Sequence, residues 1–287
     1  MQTSGGSWHH GSQQVDSKNK IKIAVVQLTS VDSLEKNIEM VFRQLKKIER
    51  SKPRLVCLPE NTLYMRIRND DAKVYCTLKE EFWTRFQVWA KKNRCDLFFG
   101  SVAYTDGVKN YNATVIVTGE QVQVLYKKIH LFDVQVKGAP PVRESDLFTH
   151  GSEASTIDID GWRIGLTICY DIRFSNLFLK YAHEKVDLIL IPSAFLVPTG
   201  KAHWHILNRA RAIECQAYVI SAAQAGTHRS AKGVKKTYGH SLCVDPWGEI
   251  VKEIKKSQPD YFVVELNPEL ISKVREQIPM ADHRRLC

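Results

Sequence analysis

From Ile21 to Leu266 the chain alternates short runs of Ile, Val, Leu and aromatic residues with longer stretches whose apolar positions return every three or four residues. Ile21 to Leu28 reads as a strand, and Ser33 to Arg50 as a helix with Leu34, Ile38, Val41, Leu45 and Ile48 on one face. The beat repeats with a strand from Arg54 to Leu58 stopped by Pro59, a helix from about Leu78 to Lys92, and a strand from Asp96 to Tyr104. Asn112 to Thr118 and Gln121 to Lys127 predict a hairpin across Gly119 and Glu120. A loop then runs to about Gly151, long enough to suggest function. In the second half, strands are expected at Ser155 to Ile159, Trp162 to Ile168, Asp187 to Pro192, Tyr218 to Gln224, Ser241 to Asp245, Glu249 to Ile254 and Tyr261 to Leu266. Helices are expected at Ser175 to Glu184, Ala202 to Cys215 and Pro268 to Gln277. Interleaved strands and helices without a Pro-, Gly- or Ser-rich linker predict one α/β domain over residues 21–287, two packed sheets with helices outside. Residues 1–20 are polar and aperiodic, and predict a flexible leader.

Composition changes this picture little: 44% hydrophobic and 25% charged residues are those of an ordinary globular chain. The net charge of +10 raises nucleic acid as a partner, but the basic residues are scattered. Their densest clusters, Lys18 to Lys22 and Arg229 to Lys236, lack an aromatic platform or zinc-finger spacing. A solvated basic surface that attracts anionic substrates fits better than nucleic-acid binding. The seven cysteines form no C-x-x-C pair, which suits a reducing cytoplasm. No apolar run reaches membrane-spanning length, so no membrane partner is expected.

Within Gly165 to Phe174 an apolar strand stops at Cys169 and turns into an expected helix. A cysteine at a strand-to-helix turn faces a cleft at the carboxyl ends of the strands, where backbone N–H groups favour a thiolate or an oxyanion. A buried structural cysteine is the plain alternative. Glu60 follows a buried strand and Pro59, and Lys128 also ends a strand, so both emerge at the same sheet edge as Cys169. Singly, Glu60 reads equally as a helix cap and Lys128 as a surface charge. Together they supply what amide cleavage by a thiol requires: a nucleophile, a proton carrier and a donor for the developing oxyanion.

Leu58-Pro59-Glu60, Lys128 to Asp133 and Thr167 to Phe174, in this order, resemble the three signature segments of the nitrilase superfamily of carbon-nitrogen hydrolases. The resemblance runs from Ile21 to Arg285 and implies a four-layer α-β-β-α sandwich. It assigns Cys169 as nucleophile, Glu60 as general base and acid, and Lys128 as oxyanion donor, assisted by the Tyr170 N–H. A second family glutamate falls on Glu144. No metal or other cofactor is implied. Further segments, Thr199 to Trp204, Ala222 to Gly226, Tyr238 to Ser241 and Val244 to Gly248, are similar to the Nit branch and its deaminated glutathione amidases. That likeness implies cleavage of a small anionic amide to 2-oxoglutarate and cysteinylglycine, with omega-amidase or N-carbamoyl hydrolase activity as the alternative. An inactive scaffold or a basic nucleic-acid-binding protein that kept the fold is the alternative from another class. Arg173 is a candidate for a substrate carboxylate, against a structural pairing with Asp171. Thr199, Tyr238 and His240 are candidates to line the pocket, or are plain turn and core residues. The family also implies a homodimer or larger assembly. The basic stretch Arg229 to Lys236 departs from the pattern and has no assigned role.

Overall fold

The computed structural model describes residues 18–67, 74–135, 141–231 and 233–285. The first half contributes β1 (Ile21–Gln27), α1 (Leu34–Ile48), β2 (Leu55–Cys57), α2 (Phe82–Asn93), β3 (Asp96–Thr105), β4 (Asn110–Val117) and β5 (Val122–Lys127). A short ladder, β6 (Asp133–Val134) with β7 (Val142–Arg143), leads to β8 (Ser155–Ile159), β9 (Trp162–Leu166), α3 (Ser175–His183), β10 (Leu188–Leu190), α4 (Val197–Cys215) and β11 (Tyr218–Ser221). A hairpin of β12 (Ala225–Ser230) and β13 (Gly233–Tyr238) precedes β14 (Leu242–Val244), β15 (Ile250–Glu253), β16 (Asp260–Leu266), α5 (Pro268–Gln277) and α6 (Met280–His283).

Two six-stranded sheets result, ordered β16-β1-β2-β3-β4-β5 and β15-β14-β11-β10-β9-β8. Strand alternation explains how they stack. In β1, Ile21, Ile23 and Val25 join the core between the sheets, while Ala24 and Val26 join the core beneath α1 and α2. Strands buried on both faces read as continuous apolar runs, as β2 and β10 do. Helix α1 is capped by Ser33, whose hydroxyl accepts from the Lys36 N–H at 3.4 Å, and buries Ile38, Val41, Leu45 and Ile48. On the far side, α3 and α4 cover the second sheet through Phe178, Tyr181 and Trp204. The architecture is the expected α-β-β-α sandwich.

Several expected boundaries move for local reasons. The helix expected from Ala202 starts at Val197, because Pro198 suits a first turn where its missing N–H has no acceptor to lose. The strand expected to run to Gln224 pairs continuously only to Ser221; Ala223 then makes an isolated bridge to Ser193. The basic stretch Arg229 to Lys236 lies in the β12–β13 hairpin, of which Lys232 lies outside the described residues. Of the expected leader, residues 1–17 lie outside the described residues, whereas Lys18 to Lys20 are docked. There the Asn19 carbonyl accepts from Trp162 Nε1 at 2.8 Å and Lys18 pairs with Asp187, so the packed chain starts before the expected boundary. Among the described residues no helix is long and apolar enough to cross a membrane.

Gly100 marks where the sheets close on each other. A Cβ there would lie 2.1 Å from the Leu58 carbonyl oxygen and 2.2 Å from Pro192 Cβ, both on backbone leading to the site. Gly100→Ala is therefore expected to lower the unfolding free energy in urea by about 2 kcal/mol or more, as overpacking does.

Candidate active site

Three chain segments meet at one buried cation. Past β2 the Leu58 N–H bonds to the Phe98 carbonyl at 2.8 Å, so Pro59 and Glu60 leave the sheet at the carboxyl end of the parallel strands. Lys128 follows β5 and is fixed on both sides of its peptide: its N–H donates to Asn112 and its carbonyl accepts from Gly151. Glu144 opens a 3-10 turn, Glu144–Asp146, inside the long loop. Lys128 Nζ lies 2.9 Å from Glu60 Oε1 and 2.8 Å from Glu144 Oε2, with all three side chains buried. Asn112 Nδ2 braces both carboxylates, at 3.2 Å from Glu60 and 2.7 Å from Glu144, and the Phe132 N–H donates to Glu144 at 2.7 Å.

Cys169 sits beside this cluster at the start of a 3-10 turn, Cys169–Arg173, with φ of 48°, a left-handed conformation that a non-glycine residue holds only under constraint. The constraint is visible. The Cys169 N–H donates to the Pro192 carbonyl at 2.8 Å, and the fully buried Asp171 carboxylate accepts from the Ile168 N–H, the His130 N–H and the Tyr126 hydroxyl. Asp171 thus ties the cysteine turn to the segment that carries Lys128. Arg211, on α4, adds a bond from Nε to the Ile172 carbonyl at 2.8 Å while pairing with Glu214 three residues on.

Electrostatics separates the roles of these groups. Burial pushes the Cys169 thiol well above its ordinary pKa, the facing Glu60 carboxylate adds to this, and Lys128 and the Ala194 N–H pull it down. Burial alone would discharge Lys128, but Glu144 and Glu60 outweigh it and hold the ammonium charged. Lys128 Nζ has three N–H donors and three carboxylate oxygens within reach, Glu60 Oε1 and both oxygens of Glu144, so a reacting oxygen would draw on a donor now shared with Glu144. The Tyr170 N–H lies in the first turn of the 3-10 segment, where it has no intrahelical acceptor.

The other sequence candidates are distributed around this centre. Arg173 does not pair with Asp171. Its guanidinium bonds His203 Nδ1 at 3.2 Å and lies over the rings of Tyr170 and Phe195. Tyr238 stacks on His240, with ring centroids 4.3 Å apart, and packs so tightly on α4 that a Cβ at Gly200 would lie 2.2 Å from its ring. His240 Nδ1 bonds Glu253 Oε1 at 2.6 Å, and His205 Nε2 reaches the same oxygen at 2.9 Å. Among the described residues these three are the one group close enough to hold a cation, their ligand atoms lying within 4.8 Å of one another, yet hydrogen bonding already accounts for the arrangement. Thr199 donates its hydroxyl proton to the Leu196 carbonyl, in the first turn of α4.

Sequence reasoning missed Asn112, the Ala194 N–H and Gln224. Gln224, fully buried, donates to the Glu60 carbonyl at 2.9 Å and accepts from the Ser30 N–H at 3.0 Å. A signal existed for Asn112 and Gln224: each is an amide-bearing residue inside or just beyond an apolar run, and buried amides require partners.

A four-layer sandwich with a buried cysteine, lysine and glutamate pair at the strand ends has the form of a nitrilase-type hydrolase. The carbon-nitrogen hydrolase family model matches residues 22–276, and the chain belongs to that family. It is 34% identical over 281 residues to the deaminated glutathione amidase of Dictyostelium discoideum, covering 93% of this chain and 95% of that protein. Identity to a deaminated glutathione amidase of Synechocystis is 33% over 271 residues, covering 91% and 97%. Among solved structures, Saccharomyces cerevisiae Nit3, a member of branch 10 of the nitrilase superfamily, aligns with a TM-score of 0.78 at 29% identity over 94% of this chain and 98% of that one.

The site is backed by buried His228, whose Nδ1–H donates to the Ser30 carbonyl while Nε2 accepts from Thr237. Burial pushes its pKa down to about 4 from 6.5, so between these values the unfolded chain binds the extra proton and stability falls as pH falls. Stability against thermal unfolding is expected to fall progressively from about pH 6.5 to pH 4, by on the order of 3 kcal/mol in full, and His228→Gln should flatten that slope.

Proposed function

We propose that the protein is an amidase that cleaves a small carboxylate-bearing amide, deaminated glutathione, to 2-oxoglutarate and cysteinylglycine through a thioester on Cys169. The observation that carries this reading is the buried Lys128 held between Glu60 and Glu144 beside a thiol whose proton Glu60 faces. Glu60 takes the thiol proton as sulfur attacks the amide carbonyl. Lys128 Nζ and the Tyr170 N–H hold the oxyanion. The tetrahedral intermediate collapses, the C–N bond breaks, and Glu60 returns its proton to the leaving amine. Glu60 then deprotonates water, which attacks the thioester and releases the acid and the thiol. Glu144 keeps Lys128 charged and in place. The names of the relatives support the substrate.

Arg173 is the proposed contact for a substrate carboxylate, since its side chain rests on aromatic rings and a histidine rather than on an acid. Thr199, Tyr238 and His240 complete the pocket wall in this reading. The homodimer or larger assembly implied by the family would use α4, whose Ile206 and Ile213 stay exposed.

The test is release of 2-oxoglutarate from deaminated glutathione and from 2-oxoglutaramate, side by side. Preference for the glutathione derivative is expected; preference for the small amide would make the protein an omega-amidase. Cys169→Ala should reduce turnover by roughly 10³-fold or more. Arg173→Lys is expected to raise KM for carboxylate-bearing amides about tenfold while sparing neutral ones; equal losses on both would assign Arg173 to structure.

A further inference from the structure

The β12–β13 hairpin carries the basic stretch that the mechanism leaves unused, and strand alternation sorts its charges. Arg229 and Lys236 point to solvent, whereas Lys235 shares its face of β13 with buried Thr237 and is turned inward. The hairpin is firmly held. His228, directly across the ladder from Lys235, anchors it to Ser30, and the Tyr238 N–H bonds the Phe195 carbonyl at 2.9 Å. It therefore joins the loop after β1 to the loop after β10, the two edges between which Cys169 lies.

The Lys235 ammonium sits in the field of Glu60, Glu144, Cys169 and Arg66. Its one hydrogen bond among the described residues is a long contact of 3.4 Å to the Arg66 carbonyl. Glu60 and Glu144 attract it but direct their oxygens to Lys128, Asn112 and the Phe132 N–H. Lys235 is thus a largely desolvated ammonium with donors in excess of its acceptor among the described residues, the Arg66 carbonyl. Burial accordingly lowers the pKa of Lys235 from the ordinary lysine value. A carboxylate entering there would satisfy the free donors and pair the ammonium.

We propose that Lys235 is the counter-ion for the carboxylate on the acyl half of the amide substrate, which makes the β12–β13 hairpin the acid-selective wall of the pocket. The inference rests on Cys169 as the nucleophile. The acyl half stays on sulfur after the amine has left, and Lys235 shares the buried surroundings of that sulfur, whereas Arg173 is half-exposed and suits the departing half.

The experiment compares kcat/KM for 2-oxoglutaramate and for an uncharged amide of the same chain length, both releasing ammonia, in the wild type, Lys235→Met and Lys235→Arg. The leaving group is common, so only the acyl carboxylate is read. Lys235→Met is expected to lose about 10- to 100-fold on the charged amide, mostly in KM, and less than about threefold on the neutral one, with Lys235→Arg recovering most of the loss. Equal losses on both amides would make Lys235 a scaffold residue and overturn the proposal. So would a fold lost in both variants. A wild type that hydrolyses both amides equally well overturns the subsite while leaving the amidase reading intact; a wild type inactive on every amide sinks that reading itself.

Discussion

A lysine ammonium taken wholly out of water is stable only if anions meet it, and the clasp of Lys128 by Glu60 and Glu144 is the constraint on which the rest of the site depends. No single segment could supply it. Glu60 comes from the end of a parallel strand, Lys128 from the end of a hairpin, and Glu144 from a turn in the loop beyond. Each carboxylate is then positioned by a further donor, Asn112 to both and the Phe132 N–H to one, so the three charges are fixed relative to one another before any substrate arrives. Preorganisation of this kind is what stabilises a developing charge without reorganisation at the moment of reaction.

The cysteine is fixed by a different device. Its left-handed backbone is held by the Pro192 carbonyl and by Asp171, whose carboxylate gathers donors from the turn itself and from the segment after Lys128. Two sheets that approach as closely as the Gly100 contact implies bring those partners within reach. Within the turn the Cys169 and Asp171 N–H groups are taken up by the Pro192 and Ile168 carbonyls, and the Tyr170 N–H has no intrahelical acceptor.

Much of this was readable in the chain, for physical reasons that also mark where reading stops. The period-2 and period-3.6 patterns of β1 and α1 placed them within a residue or two, since burial on one or two faces dictates both. Glu60, Lys128 and Cys169 each had a plain structural reading and stood out only in combination, as a nucleophile, a proton carrier and a donor at the ends of apolar strands, and in the structure they meet. Glu144 was a loop carboxylate whose burial only the fold reveals. Lys235 was invisible because its hairpin was read as an irregular insertion, and without strand alternation its charge could not be told from that of Lys236. His240 and Thr199 were singled out by resemblance, and their bonds to Glu253 and Leu196 depend on long-range contacts or cap geometry that no pattern encodes.

The clasp also shapes how this protein could change over generations. Removing Lys128 leaves two facing carboxylates uncompensated in a dry interior, at a cost of about 3–5 kcal/mol, a large fraction of a domain's stability. A descendant that gave up catalysis but kept the sandwich would have to neutralise the carboxylates together with Lys128, so single-step mutational drift meets a barrier at Lys128 that it does not meet at Cys169.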